Sequence, residues 1–396
     1  MRHHSAPPRF QKQSHILYTI AVIGFIYALH LVLPLYSNSS FLSLFTSEKD
    51  VGIIYMIGSA ATILGFLFTP FLIRRLGNYA TTLWLIIIQA SMLYGLATVV
   101  DARLIALFFV LQVAIVALIG FCLDIFLEVY SDTSHVGMIR GMYLTSINCA
   151  WIVGPLIGSM IIGEMNDYRS VYVASLFMLI PLFYLVFKNF PKFKDPHYRH
   201  PSLWKTIIRL VRNENHSRLF AINTILQVFY AWMVVYSPIY LHTVMGLSWS
   251  GIGIVLTVML LPFPLLQLPL GKIADKKYGE KEIMVLGFAL LGLSTIALAA
   301  IISSSVFVWA LALFITRMGA ASAEIMIETY FFKTVDQKDP NILGFFRITR
   351  SISYFIAPLI TGFMLIYTED QSYMFIVIGT LCLLAMIPAW KLKDTN

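Results

Sequence analysis

The stretch FCLDIFLEVYSDTSHVGMIRG, residues 121–141, follows a long apolar run and then places Asp124 and Glu128 one helical turn apart. A carboxylate left alone in apolar surroundings is costly, so such a placement asks for a reason. Two hundred residues further on, AEIMIETYFFK (323–333) repeats the arrangement with Glu324 and Glu328 behind another apolar run. A costly group placed twice in the same setting points to a duplicated structure.

Composition sets the class. Hydrophobic residues make up 59% of the chain and charged residues only 12%, against about a quarter charged in a soluble globular protein. Twelve apolar stretches are marked, near 16–36, 51–73, 80–100, 104–127, 142–163, 171–187, 219–241, 251–270, 283–302, 305–327, 343–366 and 372–390. Each is about the length that crosses the hydrocarbon core as a helix. The fold class expected is therefore an all-α polytopic membrane protein with twelve transmembrane helices, seated in a lipid bilayer.

The charge distribution orients it. Of the 28 Lys and Arg, only Lys49, Arg103 and Arg169 fall on the side away from the termini, and Arg317, Arg347 and Arg350 fall inside spans. This asymmetry places both termini in the cytoplasm, with MRHHSAPPRFQKQSH (1–15) as a retained tail, in a multi-pass protein of the cytoplasmic membrane. The net charge of +8 reports that orientation and calls for no nucleic acid. Cys122, Cys149 and Cys382 lie in apolar stretches without metal-ligand spacing, and no phosphate-cradling Gly loop or His/Glu metal motif is present. Nothing calls for a metal or a cofactor. An enzyme acting on lipid-linked substrates would need a nucleophile or base near the interface, and no such constellation is found.

Other landmarks repeat at nearly the spacing of the acids. YALHLVLPLY (27–36) returns as YAWMVVYSPIY (230–240), GPLIGS (154–159) as APLITG (357–362), and Pro70 is matched by Pro269. Six spans followed by six in the same orientation make a parallel repeat, an arrangement of secondary transporters. The expected division is an N-terminal six-helix half (1–187), a basic cytoplasmic linker (188–218) and a C-terminal six-helix half (219–396). Within the linker, Leu203, Trp204, Ile207, Ile208 and Val211 alternate with Lys205, Arg209 and Arg212 as in an amphipathic helix on the membrane surface.

Two motifs sharpen this into a family resemblance. GKIADKKYGEK (271–281) resembles the cytoplasmic loop signature G-x-x-x-D-R-x-G-R-R of the major facilitator superfamily, with Gly271, Asp275, Lys276 and Gly279 in corresponding roles and one extra residue before Gly279. The first-half counterpart PFLIRRLGN (70–78) keeps Gly77 but has Pro70 and Arg74 for the Gly and the Asp. In span five, Gly141, Ala150, Gly154, Pro155, Gly158 and Ser159 are similar to the G-x8-G-x3-G-P-x2-G-G pattern of its drug/proton antiporter branch. Small residues there also serve helix packing.

The resemblance implies a cavity between spans one, four, seven and ten, with span five beside it. The substrate candidates are then Tyr27, Gln112, Asn148, Trp151, Asn223, Gln227, Tyr230 and Arg317. Arg317 stands about a dozen residues into span ten, near the midplane, where an ionised side chain is costly and suggests a role. Asp124, Glu128, Arg140, Asp275, Glu324, Glu328, Arg347 and Arg350 are the gating or proton-coupling candidates, the acids lying toward the cytoplasmic mouth. The function expected is alternating-access transport of a small amphipathic solute, as proton-coupled efflux by a monomer. Uptake of a nutrient or metabolite is the alternative, and a non-transporting receptor on the same fold is a more distant one.

Overall fold

The computed structural model describes residues 8–130, 136–195, 212–273, 279–334, 340–364, 366–368 and 370–393. Among these the regular structure is helical, without a strand. The helices are α1 (Pro8–Leu35), α2 (Asn38–Ser43), α3 (Glu48–Thr98), α4 (Ala102–Tyr130), α5 (Val136–Ile162), α6 (Tyr168–Asn189), α7 (Glu214–Val235), α8 (Trp249–Leu260), α9 (Pro262–Ile273), α10 (Gly279–Leu298), α11 (Val306–Thr334), α12 (Pro340–Met364), α13 (Tyr373–Leu384) and α14 (Met386–Trp390). Every apolar stretch marked from the sequence coincides with helix. Ten segments among the described residues are long and apolar enough to cross a membrane.

Local chemistry explains where the helices differ from the twelve stretches. The second and third stretches run together as α3, interrupted only at Gly77, whose φ of 81° is open to glycine at little cost. The eighth is split into α8 and α9 at Leu261, because Pro262 has no N–H to continue the ladder but suits the first turn of a new helix. The amphipathic linker segment 203–212 falls, but for Arg212, outside the described residues.

The chain forms two compact units. The first comprises Met1–Leu35, Ala61–Ile162 and Asp167–Tyr198. In it α1 packs against α5, α6 and α4. Span five's small residues are what allow the approach: a Cβ at Gly158 would stand 2.5 Å from the Leu33 carbonyl oxygen, and one at Gly154 2.6 Å from a Val32 methyl. Gly158→Val therefore forces α5 off the α1 backbone. We expect it to cost about 1–3 kcal/mol or more, read as a lowered melting temperature of the purified protein.

A buried polar network pins the same unit. The Ser175 hydroxyl donates to the His30 carbonyl (2.8 Å) and lies 2.7 Å from His30 Nδ1. That leaves Nδ1–H as donor to Ser175 Oγ and Nε2 as acceptor for the Gln89 amide at 3.3 Å. His30, with 0% exposure, is thus a packed and satisfied residue.

The bend at Gly77 has an anchor the sequence motif does not show. The Asn78 N–H, opening the second part of α3, donates to Asp195 Oδ1 at 2.9 Å, and the Asn78 amide donates to the Cys122 carbonyl at 3.0 Å. Asp195 is brought there by Phe190 and Phe193, which lie against Phe126 of α4 with ring centroids 4.4 and 4.6 Å away. An acid from beyond α6 thus caps this helix start, where the loop itself carries Arg74. Asp195→Ala should cost about 0.5–2 kcal/mol. Hydrogen exchange should show the loss at residues 78–82 rather than throughout the chain.

The second unit comprises Tyr36–Ala60, Gly163–Asn166 and Arg199–Asn396. Its centre is α10, packed on α11 and α13. A Cβ on Gly319 would stand 2.5 Å from Leu291 N, and one on Gly287 2.8 Å from Ala323 N, so these backbones touch directly. Beside them Trp232, Tyr240, Trp309 and Phe375 form a buried aromatic cluster with neighbouring centroids 5.0–6.2 Å apart. Residues 36–60 are built into this unit. Gln371 Nε2 donates to Glu48 Oε2 at 2.7 Å, Tyr55 stacks on Tyr354 at 6.3 Å, and a Cβ at Gly52 would stand 2.9 Å from the Tyr236 hydroxyl.

Candidate functional site

The candidate residues divide between the units. In the first, Tyr27 donates to the Val116 carbonyl at 2.8 Å and so ties α1 to α4. Gln112 is 2% exposed, and its Oε1 has no hydrogen-bond partner among the described residues. Asn148 and Trp151 are half-buried on α5, and Gly154, Pro155 and Gly158 are buried. Asp124 is half-buried near the end of α4, and Glu128, one turn on, is exposed. Arg140 and Gly141 lie in the first turns of α5, and the Arg140 side chain is outside the described ones. Asp275 falls outside the described residues, as does the side chain of Arg347 in α12.

In the second unit, helical spacing puts Asn223, Gln227 and Tyr230 on one face of α7. Asn223, 2% exposed, donates its amide to Thr349 Oγ1 at 2.8 Å and ties α7 to α12. Gln227 is half-buried. The Tyr230 hydroxyl donates to Glu324 of α11 at 2.7 Å. This contact unites two residues that the sequence assigns to different roles, one to the cavity and one to the cytoplasmic gate. Glu324 is half-buried and its neighbour Glu328 exposed.

Arg317 completes the group. It is 3% exposed, its guanidinium carbon lies 4.9 Å from the Tyr230 ring centroid and 5.4 Å from that of Phe229, and Nε has no hydrogen-bond partner among the described residues. No ion pair to it is formed among those residues. Arg317 and Glu324 are seven residues apart on α11, hence about 10 Å along one face. Tyr36 and Tyr354 are both within electrostatic reach of Arg317 and of Arg350, and Arg350 also hydrogen-bonds Tyr354.

A buried guanidinium, a carboxyl and three phenols are therefore gathered inside a helix bundle. Such a group can bind a polar or charged solute and can accept or release a proton at Glu324. No cluster of His, Cys, Asp or Glu suited to a metal ion occurs among the described residues. Sequence reading missed Tyr36 and Tyr354. Tyr354 carries a faint signal, standing four residues after Arg350 on α12 and so on the same helical face.

Comparison with known proteins bears on this architecture. Residues 248–396 match the model of the Major Facilitator Superfamily. No curated protein matches the chain by sequence. Among solved structures, a variant of the nucleoside transporter NupG is similar with a TM-score of 0.77 at 12% identity, covering 95% of this chain and 99% of that one. A D-xylose–proton symporter is similar with a TM-score of 0.73 at 11% identity, covering 96% and 98%. By sequence, residues 248–396 are thus similar to the Major Facilitator Superfamily, and over nearly its whole length the chain shares the fold of these transporter structures.

Proposed function

We propose that the protein is a secondary transporter of the cytoplasmic membrane, moving a small solute by alternating access in exchange with the energy of a proton gradient. The observation that carries this reading is the Arg317–Tyr230–Glu324 group. It places a charged binding group and a carboxyl together inside membrane-spanning helices of a transporter fold. The reading includes both termini in the cytoplasm, from the distribution of Lys and Arg, and a single copy of the chain as the working unit.

On direction, the proposal is uptake together with protons. Both similar structures are transporters by name, and one is a proton symporter. Export rests on the small residues of span five, and the contacts of Gly154 and Gly158 with α1 account for their size without reference to direction. In proteoliposomes loaded at a defined pH, acid outside should drive accumulation of nucleosides, pentoses or small organic acids, and a protonophore should abolish it. Accumulation driven only by acid inside would establish export. Absence of counterflow for every solute that stabilises the protein against heat would overturn the transporter reading.

A further inference from the structure

We propose that Arg317 is the receptor for a singly charged carboxylate borne on a planar ring, so that the solute of this transporter is a cyclic organic monoacid. The inference rests on the transporter reading and deepens it. Arg317 is buried, with its guanidinium carbon over the Tyr230 and Phe229 rings in cation–π contacts that fix its position. Such contacts leave the N–H groups of the guanidinium to make hydrogen bonds. Its Nε–H is unmet among the described residues.

A buried donor with no acceptor costs about 1–3 kcal/mol, and more when it belongs to a charged group, so an occupant that meets it gains correspondingly. The Nε–H and a neighbouring Nη–H form a two-toothed fork whose spacing matches the oxygens of a carboxylate. Glu324 does not fill this role here, since it stands seven residues away on α11 and forms no ion pair with Arg317 among the described residues.

The surroundings narrow the class. Tyr230 and Phe229 lie against the cation and Tyr36 and Tyr354 are within its electrostatic reach, so the group is lined by aromatic side chains, which suits a ring more than a flexible chain. Glu324 lies within electrostatic reach of Arg317, so a doubly charged phosphate would meet repulsion that a monocarboxylate meets only half as strongly.

The test uses the purified full-length protein and three probes: benzoate, its neutral near-isostere benzamide, and inorganic phosphate. Calorimetry should show benzoate binding at least about tenfold more tightly than benzamide, a difference of about 1.4 kcal/mol, and phosphate binding no better than benzamide. Arg317→Gln should erase the preference for benzoate, whereas Arg103→Gln, at an exposed position, should leave it intact. Should Arg317→Gln fail to fold, Glu324→Gln serves instead, because removing the neighbouring carboxylate should tighten benzoate binding without changing that of benzamide.

Equal affinity for benzoate and benzamide in the wild type overturns the proposal. So does a preference that survives Arg317→Gln, or tighter binding of phosphate than of benzoate. The two readings fail separately. Flux of neutral solutes without any preference for benzoate removes the carboxylate site and leaves the transporter standing. Binding of benzoate through Arg317 with no counterflow of any bound solute removes the transporter and leaves the site.

Discussion

Glu324→Gln is expected to abolish uphill accumulation while leaving downhill counterflow largely intact. Coupling requires a group that gains and loses a proton during the cycle and feels the occupancy of the solute site. Glu324 is half-buried on α11, hydrogen-bonded to Tyr230, and within reach of Arg317. Glutamine preserves the acceptor for the Tyr230 hydroxyl and the volume of the side chain, so the bundle is retained and only the exchangeable proton is lost. A gradient of one pH unit supplies about 1.4 kcal/mol, which supports about tenfold accumulation at one proton per solute. In Glu324→Gln that ratio should fall to unity. Labelled-solute uptake with and without a pH gradient, measured beside counterflow at equal pH, decides the matter. Full gradient-driven accumulation in the mutant would assign the proton to another group, with Asp124 the next to test.

Gly319→Leu should prevent accumulation of folded protein. The absent Cβ of Gly319 faces Leu291 N at 2.5 Å and the Gly287 carbonyl oxygen at 2.8 Å, both main-chain atoms that no rotamer change can move aside. Even Gly319→Ala must separate α10 from α11, at a cost of about 1–3 kcal/mol. Leucine adds a branched side chain where two backbones touch. Since α11 also carries Arg317 and Glu324, Gly319→Ala, if it folds, should reduce transport as well as stability by displacing both from α7. Fluorescence-detected size exclusion of the two variants separates misfolding from loss of transport. A monodisperse Gly319→Leu peak at wild-type yield would show that these helices can part freely.

Membrane class and helix positions were legible in the sequence because hydropathy is a local property. A run of about twenty apolar residues has to satisfy its backbone internally as helix wherever it packs. The same reasoning found Arg317 and Glu324, since a charge inside such a run is conspicuous whatever surrounds it. Only the tertiary structure decided their partners. That Tyr230 of α7 meets Glu324, that Tyr36 and Tyr354 stand near Arg317, and that Asp195 caps the helix beginning at Asn78 depend on helix rotation and on contacts between residues about 40 to 280 positions apart. The export expectation shows the same boundary from the other side. Small residues in span five are visible in sequence, but whether a glycine serves close packing or movement depends on what its missing side chain would strike, and for Gly158 that is the backbone of Leu33.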